Sequence, residues 1–74
     1  MDIDKVEIAK KKVEAANLRV LAASQRMLAA AHRQQATRPI YPGQETICLG
    51  KANQVDAFAA RSEARAELAE AEAG

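Results

Sequence analysis

The sequence predicts an all-α fold: an antiparallel two-helix hairpin with a coiled-coil-like alanine and valine seam, dimerising into a four-helix bundle. Three observations carry this. From Asp4 to about Gln35, Val6, Ala9, Val13, Ala16, Val20, Ala23, Met27 and Ala30 recur at alternating spacings of three and four, the periodicity of a helix lying along another helix. Tyr41-Pro42-Gly43-Gln44 then offers a turn in which proline presets one dihedral and glycine supplies a positive φ. The two halves are oppositely charged: residues 1–37 hold seven basic against four acidic side chains, residues 45–74 three basic against six acidic. Folding the chain back on itself brings Glu67, Glu70 and Glu72 beside Lys5 and Lys10, Lys11 and Lys12. Exposed ion pairs add little stability, so these charges select orientation and register.

The chain of 74 residues is read as a single domain, with the first helix at about 4–37, the turn at 38–46 and the second helix at about 47–73. A core this small rarely stabilises a fold alone. With one cysteine, Cys48, and one histidine, His32, neither an internal disulfide nor a Cys/His metal cluster is available. Oligomerisation, or docking to a larger partner, remains. Much of the apolar content is alanine, which buries little area but has the highest helix propensity and lets backbones approach closely.

For the first helix, Asp2 or Asp4 is the expected cap, with Asp2, Asp4 and Glu7 at the positive end of the dipole. Arg33 and Arg38 lie near its other end, and Pro39 disfavours helical geometry at the residue before it. Ile3, Leu18, Leu21 and Leu28 fall on a second face, and a second apolar face calls for a second helical neighbour. Lys5, Lys12, Arg19, Arg26 and Arg33 recur every seven residues beside the seam, where long basic side chains pair with acids of the adjoining helix. Ile40 and Tyr41 are apolar residues in the turn. They are read as closing the end of the bundle or as an anchor for a partner.

The second helix has two candidate starts. Thr46 caps a helix opening at Ile47 and weakened at Gly50, or Asn53 caps it with Asp56 three residues on. The earlier start is preferred. Its seam is Ala52, Val55, Ala59, Ser62, Ala66, Ala69 and Ala73, flanked by Phe58 and Leu68.

No motif for chemistry emerges. Gly50-Lys51-Ala52 lacks the glycine and hydroxyl of a phosphate loop. Glu63 and Glu67 lie one turn apart without the Glu-x-x-His pattern of bundle metal sites. Catalytic residues, cofactors and metals are therefore not expected; Cys48 is read as a small, partly buried apolar residue and His32 as a polar residue of the surface or helix end. The net charge of +1 and two aromatics argue against a dedicated nucleic-acid surface. No apolar run spans a membrane, and Met-Asp-Ile-Asp is not a secretory leader, so the expected location is cytoplasmic.

The function expected is protein binding by a small non-enzymatic helical module acting as a homodimer. Its concrete form is an inhibitor or adaptor, of the kind phages and mobile elements encode, that covers a host protein's surface. Leu18, Leu21, Leu28, Ile40, Tyr41 and Phe58 are the candidate self-association or partner face. The alternatives are a structural assembly subunit, or a nucleic-acid-binding regulator using the basic stripe. That last architecture is similar to small plasmid copy-control proteins that bind paired RNA loops, without a residue motif in common.

Overall fold

The structure is a computed structural model and describes residues 4–74. Two helices, α1 (Lys5–Ala36) and α2 (Gln44–Ala73), pack against one another as a hairpin. The rod measures 62 × 13 × 10 Å. Asp4 caps α1, its Oδ1 accepting from the Val6 amide at 3.0 Å. The other candidate cap, Asp2, and the proposed face residue Ile3 lie outside the described residues. At the far end Thr37 closes α1, its hydroxyl donating to the Gln34 carbonyl at 2.6 Å.

The turn forms at Tyr41–Gln44: the Gln44 amide donates to the Tyr41 carbonyl at 3.2 Å, and Gly43 sits at φ 91°, the left-handed position a type II turn requires. α2 starts at Gln44 rather than Ile47 or Asn53. No side chain caps it. Instead Gly43 makes the entry, its carbonyl accepting from the Ile47 amide at 3.2 Å. The Gln44 side chain turns back to accept from the Ile40 amide. Helix runs unbroken through Gly50, where a weak point, frayed or kinked, was expected.

In α2 the seam is the expected one. Ala52, Ala59, Ser62, Ala66, Ala69 and Ala73 are buried, Val55 is half-buried, and Cys48 extends the pattern by one turn. In α1 it is not. Ala15, Ala22, Ala29 and Ala36 are buried at seven-residue intervals, alternating with half-buried Lys11, Leu18, Gln25 and His32. The expected seam faces outward: Val6, Ala9, Val13, Ala16, Val20, Ala23, Met27 and Ala30 are all exposed, Met27 at 75 %.

The physical reason lies in the size of the residues facing α2. Alanine against alanine lets the backbones close, and the longer side chains of the alternate column, Lys11, Leu18, Gln25 and His32, lie half-buried along the crevice between the helices. Leu18 packs on the cluster of Ala15, Ala66 and Ala69. Two turns on, Gln25 Oε1 lies 3.1 Å from the Ser62 hydroxyl, which also sits 3.1 Å from the Phe58 carbonyl. The one polar side chain buried in the seam is thereby satisfied.

Candidate partner-binding surface

The hairpin has two edges, and they differ in kind. Along one, the basic column of α1 meets Asp56, Glu63 and Glu70, which recur every seven residues on α2. Arg19 forks onto Glu70 with contacts of 2.8 and 3.0 Å. Arg26 meets Glu63 at 2.6 Å and Asp56 at 3.7 Å, and Arg33 meets Asp56 with Asn53 nearby. Each step of seven back along α1 is matched by a step of seven forward along α2, so this ladder reports an antiparallel register. Near the free end the other edge has an ion pair of its own, Lys11 bonding Glu72 at 2.9 Å, with Glu14 at 3.8 Å.

The ladder perturbs its members in the sense that pairing requires. The hydrogen bond to Arg26 holds the Glu63 carboxyl below its usual value, and Glu63 raises Arg26 in return. Glu72 likewise raises Lys11, through its hydrogen bond first and its charge second.

Beyond that pair, the middle of this opposite edge is apolar and basic. Leu21 and Leu28 are half-exposed one heptad apart on α1. Phe58 stands on α2 with the Arg61 guanidinium 5.8 Å from its ring centre. A shallow groove is lined by Leu21, Gln25, Phe58, Arg61, Ser62 and Arg65. Among the described residues no carboxylate pairs with Arg61 or Arg65.

The face residues expected from sequence are thus divided by the fold. Leu21, Leu28 and Phe58 share this edge, and Leu18 lies deeper against the alanine cluster. Ile40 and Tyr41 stand at the hairpin tip, 88 % and 50 % exposed, so Ile40 does not close the end of the helix pair. The basic stripe is divided too: Arg19, Arg26 and Arg33 are engaged by α2, whereas Lys5 and Lys12 have no ion pair among the described residues. Sequence reasoning passed over Arg61 and Arg65. The signal was their spacing of three and seven from Phe58, which puts all three on one side of α2.

Cys48 is buried, its Sγ 4.0 Å from Gln35 Oε1. Among the described residues no three His, Cys, Asp or Glu side chains gather as a metal site, and no helix is long and apolar enough to cross a membrane.

Compared with protein-family models, curated proteins and solved structures, the chain shows no match to any of them. The class it falls into is therefore defined by geometry: a two-helix hairpin with an alanine seam, one edge closed by ion pairs and the other open.

Proposed function

We propose that this chain is a non-catalytic protein-binding module that docks an acidic amphipathic helix of another protein along its open edge. The observation that carries the reading is the contrast between the edges. Every arginine of the basic column on the closed edge has a carboxylate from α2, while Arg61 and Arg65 border Leu21 and Phe58 with none. Aliphatic and aromatic anchors rimmed by unpaired cations suit a helix carrying leucines on one face and glutamates beside them. An inhibitor or adaptor that covers a host protein's surface is the concrete form of such a module, and a structural assembly subunit is the other. The cytoplasm fits its one unpaired cysteine. A nucleic-acid role gains less support, because three of the five stripe cations are already engaged. We further propose that the working unit is a dimer of hairpins.

The test is affinity capture from extracts of the source cells with the wild-type chain and with two double variants, Leu21→Ala/Phe58→Ala and Arg61→Glu/Arg65→Glu. One stoichiometric partner should be retained by the wild type and lost with either variant. Its capture should tolerate moderate salt, unlike nucleic acid. Equal retention by all three chains refutes the reading.

A further inference from the structure

The outer face of α1 carries a second complete heptad seam that α2 does not use. Val6, Val13, Val20 and Met27 form one column and Ala9, Ala16, Ala23 and Ala30 the other, all exposed. The stripe is about 36 Å long and lies roughly 150° round the helix from the buried alanine seam. We propose that its occupant is the same stripe of a second copy of this chain, running antiparallel.

The argument is volume. Antiparallel pairing about a two-fold axis level with Leu18 places Val6 opposite Ala30 of the second copy, Met27 opposite Ala9, Val13 opposite Ala23, and Val20 opposite Ala16. All eight residues are used, and each large side chain faces a small one. That is the rule the internal seam already follows, with Leu18 against Ala66 and Ala69, and Gln25 against Ser62. Parallel pairing stacks valine on valine and alanine on alanine, so the helices are held apart at one layer and underfilled at the next.

Charge gives the pairing a salt dependence. The basic column lies between the two seams, and in the antiparallel register it faces the same column of the second copy, Lys12 beside Arg26, Lys5 beside Arg33 and Arg19 beside Arg19. The carboxylates nearest this contact, Glu63 and Asp56, are held by Arg26 and Arg33, so salt should tighten the pair. On the stripe's other side Asn17 meets Asn17 of the second copy, a neutral pair that can hydrogen-bond across the axis. Parallel pairing sets the basic column beside Lys10, Asn17, Ser24 and Ala31, so side-chain volume rather than charge selects the antiparallel direction.

Because the two seams lie on nearly opposite sides of α1, the four helices form a flat layer with α1 pairs inside and α2 helices outside. A square four-helix bundle would need neighbours about 90° apart. The open edge of each hairpin stays free, so this assembly and partner docking are independent.

The experiment is light scattering over a dilution series, with circular dichroism at each point. The wild type should have twice the 8.0 kDa chain mass. Val13→Asp/Val20→Asp should stay helical and raise the dimer dissociation constant by at least about a hundredfold, since four carboxylates must leave water to pair. A wild-type monomer, or a dimer indifferent to these changes, overturns the proposal. The latter would assign pairing to the Leu21 edge.

Register and direction are read by a short bismaleimide in a Cys48→Ser background, which requires no destabilised variant. Asn17→Cys should cross-link to itself. Lys10→Cys should not, because its two copies lie roughly 20 Å apart. Cross-linking of both, or of neither, overturns the antiparallel stripe. Capture of the partner by the monomeric Val13→Asp/Val20→Asp chain separates failure of this inference from failure of the docking function.

Discussion

The two seams of α1 are alike in period and opposite in use. The inner one has alanine in one column and Lys11, Leu18, Gln25 and His32 in the other; the outer one has alanine alternating with valine and methionine. By hydropathy the outer stripe is the better seam, yet α2 takes the inner one. Two alanine-rich helices bury only the small column fully, so polarity in the alternate column costs little when its long side chains reach water. Heptad periodicity therefore shows that a helix has an interface, and side-chain size decides which neighbour it serves.

The largest effect that would break this comparison is overpacking. Ala22→Leu in the inner seam should destabilise the hairpin by about 1–3 kcal/mol in denaturant titration. Val20→Leu on the outer stripe should fall within about 0.5 kcal/mol under dilute conditions. Equal losses would mean both faces are packed within one chain. Next, Gly43→Ala should cost about 1–2 kcal/mol, because the turn holds φ at 91°. Gly50, on the outer side of α2, has nothing within 4 Å of the point where a methyl group would sit, and it should behave oppositely. Gly50→Ala should gain roughly 0.8–1.0 kcal/mol from helix propensity alone.

The smallest effect concerns pH. Glu63 has its folded value lowered by Arg26, so its contribution is complete above the usual carboxylate range and lost as pH falls through the lowered value. Glu63→Gln should therefore lose less stability than the wild type on acidification from about pH 7 to about pH 3. Denaturation midpoints at the two pH values measure this. Identical slopes would show that the ladder sets register without contributing to stability.

Much of the fold was legible. The seam of α2 was readable because the competing column, Ala57, Ala64 and Ala71, is shorter and runs beside Asn53, Ala60 and Glu67, and the turn because proline and glycine have specific dihedral requirements. The seam of α1 was not, because Lys11, Gln25 and His32 disguise it. The start of α2 was missed by three residues because its entry is made by backbone at Gly43 rather than by a hydroxyl or amide cap. Of the candidate surface, Leu21, Leu28 and Phe58 were named from their positions off the seam. The role of Arg61 and Arg65 depends on which carboxylates α2 commits to the other edge, and only the antiparallel register determines that.

The alanine seam also shapes the response to temperature. Heat capacity of unfolding scales with the apolar area exposed, and so does the steepness of a denaturant transition. A core made of single methyl groups exposes little on opening. The hairpin should therefore have a flat stability curve and a broad melt, with weak cold denaturation. A joined pair of hairpins, which removes valine and methionine from water as well, should melt more sharply as concentration rises.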